Sequence, residues 1–141
     1  MKYAARMLTI AVMMMPLLAS AQLGKDSKLV AQVPFSFMAE NRTLPAGEYS
    51  LQSATVTGTA LSIRNWDAKA SLISIVTSAE PQKGAGVNAL VFHKYGDRYF
   101  LAGMELADTG AIYTLPRGEA ETEMRAQNVP STNEVVLVAL N

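Results

Sequence analysis

From residue 29 onward the hydrophobic positions fall in short runs rich in Val, Ile, Phe, Tyr and Thr, set apart by Gly, Pro, Asn and Asp. Runs of this length that alternate every second residue describe half-buried strands. In AQVPFSFMA, Val33, Phe35 and Phe37 alternate with Gln32, Pro34 and Ser36, so the spacing predicts one strand with one buried face. Pro34 puts that strand at an edge or a bulge, because proline donates no hydrogen bond to a ladder. A Leu44-Pro45-Ala46-Gly47 turn follows, with Pro45 preset for its second position and Gly47 suited to its fourth. Tyr49 and Leu51 then alternate inward on a second strand. TALSIRNWDAKASLISIVTS predicts a third and a fourth strand joined around residues 65–69. Leu61 and Ile63 mark one inward face, whereas Leu72, Ile73, Ile75 and Val76 occupy both faces, as in a strand covered on each side.

Residues 79–88, AEPQKGAGVN, read as a longer loop whose GAG lacks the spacing of a phosphate-binding loop. Beyond it, VFHKYGDRYF predicts a hairpin on a two-residue Gly96-Asp97 turn, Gly96 supplying the positive φ. Tyr95 then faces Arg98, Lys94 faces Tyr99, His93 faces Phe100 and Phe92 faces Leu101. The Lys94-Tyr99 and Tyr95-Arg98 pairs lay cations against aromatic faces, each contributing roughly 0.2–1 kcal/mol. AIYTLP adds a short strand. In PRGEAETEMRAQN, Pro116 suits a helix entry, Glu119, Glu121 and Glu123 favour the positive end, and Arg125 lies near the negative end. A short surface helix with a solvated glutamate face is expected there. EVVLVAL closes the chain as a β-branched strand that pairs back into the sheet. The expected class is all-β, an antiparallel barrel or sandwich of seven to eight strands with one short helix.

Ahead of this pattern, MKYAARMLTIAVMMMPLLASAQ combines a basic start (Lys2, Arg6), an acid-free apolar run over residues 7–19 and the triplet Ala19-Ser20-Ala21. That is the form of a secretory signal peptide cleaved after Ala21. Its apolar run is about 13 residues, short of the roughly 20 a spanning helix needs. No cysteine stands at the cleavage point to take a lipid. The expected organisation is a signal peptide over residues 1–21, a flexible arm over 22–28 and a single β-domain over 29–141, exported to a periplasmic or extracellular location.

Removing the signal changes the composition. Five of the eight methionines leave with it, so methionine richness is targeting, not copper binding. Losing Lys2 and Arg6 from twelve basic residues leaves ten against twelve acidic ones, a balance with no footprint for nucleic acid or anionic lipid. The absence of cysteine removes thiol catalysis, redox exchange and the usual structural zinc sites.

Candidate chemistry gathers around His93, the only histidine. A metal site would need further ligands at close spacing, and neither a metal nor a cofactor is expected. His93 with Asp97 could form a general acid/base pair, with Lys94 or Arg98 stabilising developing negative charge. The hairpin gives each of these residues a structural place without catalysis. Trp66, the only tryptophan, stands between Asn65 and Asp67 in a turn. It reads either as a stacking platform for a planar ligand or as a lid folded over the end of the core, the lid being preferred because aromatic area is rarely left uncovered. Trp66, Tyr95 and Arg98 are the candidate binding residues. Asn41-Arg42-Thr43 also matches a glycosylation acceptor, which in a bacterial secretory setting is chance.

VPFSFMAENRTLPAGEYSL, LVFHKYGDRYFLAG and LPRGEAETEM together resemble a group of small exported acidobacterial proteins to which no activity is assigned. The shared features are an aromatic strand before Leu-Pro-Ala-Gly-Glu-Tyr, a His-x-Tyr-Gly-Asp segment leading to Tyr-Phe-Leu, and a charged helix after Leu-Pro. The resemblance covers most of residues 33–125 and implies export and the domain boundary. Gly118 departs from it where a serine-like helix cap is expected, which implies a weaker helix start. Two functions follow from the sequence. One is an exported, non-enzymatic β-domain that binds a small ligand or an envelope protein through a sheet edge or the Trp66 loop, without nucleic acid and without a membrane span once the signal is removed. The other is a small hydrolase or isomerase using His93 and Asp97.

Overall fold

The computed structural model describes residues 28–79 and 86–140. The expected signal segment, the arm apart from Lys28, and most of the 79–88 loop, including Gly84 and Ala85 of its GAG, lie outside the described residues.

The class is all-β, and the sheet nearly closes into a barrel. In chain order the elements are β1 (Leu29–Val33), β2 (Phe37–Ala39), β3 (Arg42–Leu44), β4 (Gly47–Ser53), β5 (Ala60–Asn65), β6 (Ala70–Ile75), β7 (Thr77–Ala79), β8 (Ala89–Tyr95), β9 (Arg98–Glu105), β10 (Ile112–Thr114), α1 (Glu119–Ala126) and β11 (Thr132–Leu140). Eleven described strands replace the expected seven to eight. The extra ones have local causes: Pro34 interrupts the first strand, which resumes in another part of the sheet, Val76 interrupts the fourth, and residues 42–44 pair with β2 as a short hairpin.

The strand order is β3-β2-β9-β8-β11-β1-β4-β5-β6. Strand β9 is long enough to carry β8 along one edge and two partners on the other, β10 near Gly103 and β2 at Phe100. The β2–β9 contact is parallel, a departure from the expected antiparallel pattern. Strand β10 pairs in turn with β7, which follows β6 after Val76, and this bend carries the sheet back toward its start. Side chains span the remaining seam. Arg42 Nη1 donates to the Ser71 carbonyl at 2.8 Å, and the Ser74 hydroxyl donates to the Glu40 carboxylate.

The inner face carries Val33, Phe37, Tyr49, Leu51, Ile63, Leu72, Leu90, Phe92, Leu101 and Met104 in one core cluster. The expected two-sided burial of β6 is corrected here. Leu72 and Val76 are buried, but Ile73 and Ile75 are 61% and 76% exposed on the outside. Strands of a barrel have one core face, and among the described residues nothing covers Ile73 and Ile75 on the outer side of β6. Val135 and Leu137 on β11 are exposed for the same reason, while Val138 turns inward.

The hairpin register matches its sequence reading at every pair from Tyr95↔Arg98 to Phe92↔Leu101, after which the ladder shifts between Val91 and Phe92. Gly96 has φ 57°, the left-handed turn position. Lys94 lies over the Tyr99 ring at 5.3 Å. Arg98 lies instead over Phe100 at 5.5 Å, so its expected contact with Tyr95 gives way to a neighbouring ring.

Candidate functional site

The two ends of the barrel are filled differently. At the end that holds the β8–β9 turn, Phe35 stacks on Tyr99 with ring centroids 3.7 Å apart and meets Phe92 edge-on. Phe37 makes further edge contacts with Phe92 and Tyr49. These broad rings occupy the interior there. At the opposite end the walls are aliphatic, and the side chains do not meet. A partly open cavity of about 260 Å³ remains, lined by Leu29, Leu51, Ala60, Leu61, Val76, Met104 and Leu106, with Gln52, Ser53, Gly58, Asn88, Asp108, Thr109 and Tyr113 completing the wall.

Two braced loops frame this mouth. Between β4 and β5, Ala54 N–H donates to Ala60 O at 2.8 Å and Thr59 N–H donates to Thr55 Oγ1 at 3.0 Å. The hydroxyls of Thr57 and Thr59 are 3.0 Å apart. Beyond β9, Leu106 N–H donates to Ala111 O at 2.9 Å, and Ala107 N–H donates to Asn88 Oδ1 at 2.9 Å. Asn88 also accepts from Val138 N–H through its carbonyl. It therefore ties the 106–111 loop to β11. A cavity framed in this way is formed before anything enters it, as small-molecule sites usually are.

The residues singled out from sequence lie elsewhere. His93 and Tyr95 point to the outside of β8, where α1 covers them together with Phe100, whose ring meets Tyr95 edge-on at 5.5 Å. Three side chains converge on one atom of the helix, Glu121 Oε1: His93 Nδ1 at 2.5 Å, the Tyr95 hydroxyl at 3.1 Å and Arg117 Nε at 3.6 Å. Glu121 is 2% exposed, which corrects the expected solvated glutamate face at this position. Burial, followed by the Glu121 charge, pushes the Tyr95 hydroxyl above the usual tyrosine range. His93 also lines an external groove of about 700 Å³ that contains Val91, Ile112, Thr114 and Arg117.

Asp97 is exposed at the hairpin tip, and the structure does not bring it to His93; Glu121 takes that place. Lys94 lies toward Glu134 at 3.7 Å, and its contacts with Tyr99 first, then Glu134, raise its ammonium pKa. Arg98 Nη2 is 3.3 Å from the Met38 sulfur. Trp66 is 65% exposed with Arg64 5.4 Å from its ring centroid, so the lid reading is overturned. The turn that holds it is fixed without the indole, because Asn65 Oδ1 accepts from Ala68 N–H and Lys69 N–H donates to Trp66 O. Neither Trp66, Tyr95 nor Arg98 lines the mouth cavity.

The mouth was missed from sequence because its walls come from strands far apart in the chain. The available signal was indirect: every phenylalanine lies between residues 35 and 37 or 92 and 100, leaving aliphatic residues at the opposite strand ends. Among the described residues, no group of three or more His, Asp or Glu side chains is placed to hold a metal ion. No described helix is long and apolar enough to cross a membrane. Compared with known proteins, the chain matches no family model, no curated protein and no solved structure.

Proposed function

We propose that this chain is an exported, non-enzymatic binding domain that holds a small apolar ligand in the mouth of its barrel. The observation that carries the reading is the aliphatic cavity of about 260 Å³ between two braced loops. An apolar protein cavity of about 150 Å³ admits a benzene ring. The mouth therefore has room for a substituted ring or a short alkyl chain, whose transfer from water favours binding by roughly 25 cal/mol for each Å² buried. The signal-like N-terminus supports export. The acid/base alternative has less support, because His93 meets Glu121, an anchor of the helix, and not Asp97.

Titration of residues 22–141 with the neutral fluorophore phenylnaphthylamine tests the reading. Saturable enhancement of its emission is expected, with loss of binding in Val76→Phe and Leu61→Phe variants that retain the β-sheet circular dichroism of the parent. Equal binding by the parent and both folded variants would place the dye elsewhere and refute the mouth as the site.

A further inference from the structure

We infer that the mouth selects apolar ligands that carry a positive charge, of the alkylamine or arylalkylamine class; this rests on the mouth being the binding site. Among the described side chains that line the cavity, Asp108 is the only aspartate, glutamate, lysine or arginine. It is exposed on the loop after β9, at the rim and not in the apolar depth. No salt bridge among the described residues engages it. No described lysine or arginine lines the cavity. Lys28 precedes the lining residue Leu29 in the chain but is not itself part of the wall.

The other polar groups at the rim are neutral. Asn88 Oδ1 and Thr109 Oγ1 already accept backbone N–H groups, from Ala107 and Ala111, and the Ser53 hydroxyl already donates to Thr55 O. What remains for a ligand head group is the Asp108 carboxylate, the one formal charge on the described wall, beside neutral donors on Asn88 Nδ2 and the Thr109 hydroxyl. An ammonium brings three donors and a charge opposite to that of Asp108, whereas a carboxylate meets like charge there and finds no cation among the described lining residues. The apolar tail enters between Leu51, Leu61, Val76 and Met104, and the head stays in water beside Asp108. Because the carboxylate is solvated, selectivity is modest: about fivefold for amine over alcohol of equal chain length, falling with salt.

The test displaces phenylnaphthylamine from residues 22–141 with hexylamine, hexanol and hexanoate at low and high ionic strength. The expected order of affinity is amine, then alcohol, then carboxylate, with the spread shrinking at high salt. Asp108→Asn is expected to weaken hexylamine about fivefold to the level of hexanol while leaving hexanol unchanged. Hexanoate binding as tightly as hexylamine, or an order unaltered in Asp108→Asn, overturns the charge selection and leaves the apolar mouth standing. No fluorophore binding by the folded parent overturns both.

Discussion

The carbonyl oxygen of Glu40 occupies the space where a side chain on Gly118 would begin. Gly118 is the N-cap of α1 with φ −77° and ψ 173°, a conformation open to any residue, so what glycine provides here is room. The β2–β3 turn thereby reaches the helix start, and Asn41 Oδ1 accepts from Glu119 N–H at 2.8 Å. A cap from another element replaces the one that Gly118 cannot supply. Gly118→Ala should therefore destabilise the fold by about 1–3 kcal/mol, since the added methyl meets backbone and not a movable side chain. Asn41→Ala removes only the acceptor and should cost about 1 kcal/mol. Urea unfolding midpoints at an unchanged slope would rank the two, and a neutral Gly118→Ala variant would contradict the close approach.

Glu121 holds α1 against the barrel through a single buried oxygen. Glu121→Ala leaves the Tyr95 hydroxyl without its acceptor beneath the helix and should cost about 1.5–3 kcal/mol. Asp97→Ala, at the exposed tip, should stay within about 0.5 kcal/mol. Thermal unfolding of both variants checks the contrast. Comparable losses would mean that the hairpin tip orders this face as much as the helix anchor does.

The difference between those two acids marks what was legible in the sequence. The hairpin could be read pair by pair, because Gly96-Asp97 fixes a register within ten residues. His93 and Glu121 are 28 residues apart on different kinds of element, and no local periodicity links a strand residue to a helix residue. Ile73 and Ile75 misled for a related reason: β-branched side chains suit either side of a strand, and alternation alone does not say which face is covered. Pro34 signalled an interruption but not the change of partner from β4 and β11 to β9 that follows it. The mouth cavity is a property of where large side chains end up, so it appears only once the strands are arranged around it.

Two tyrosines make stability sensitive to alkali. Burial raises the hydroxyl pKa of Tyr49, partly offset by a hydrogen bond with Asn65, and burial with the Glu121 charge raises that of Tyr95. Both therefore favour the neutral phenol in the folded state. Their contribution is fully present below the ordinary tyrosine value of about 10 and is lost as pH rises from there through the folded-state values. Stability should fall above about pH 10, and the tyrosinate absorbance of the folded protein should show two late-titrating groups. Tyr95→Phe should remove one of them and flatten the alkaline loss. An unchanged titration in that variant would contradict the assignment.

Trp66 offers the sharpest check on the surface, because it is the only indole in the chain. At 65% exposure it contributes little area to the core, and the Asn65 side chain and the Lys69 N–H close its turn without it. Trp66→Ala should change stability by no more than about 0.5 kcal/mol. In the parent, tryptophan emission should be centred near that of the unfolded chain and should be readily quenched by acrylamide, so unfolding will be followed better by circular dichroism than by fluorescence. Since Trp66 lies outside the mouth, its emission should also stay unchanged while phenylnaphthylamine saturates the cavity, apart from energy transfer to the dye. A blue-shifted, protected indole whose removal costs several kcal/mol would instead restore the lid over the aromatic end of the barrel.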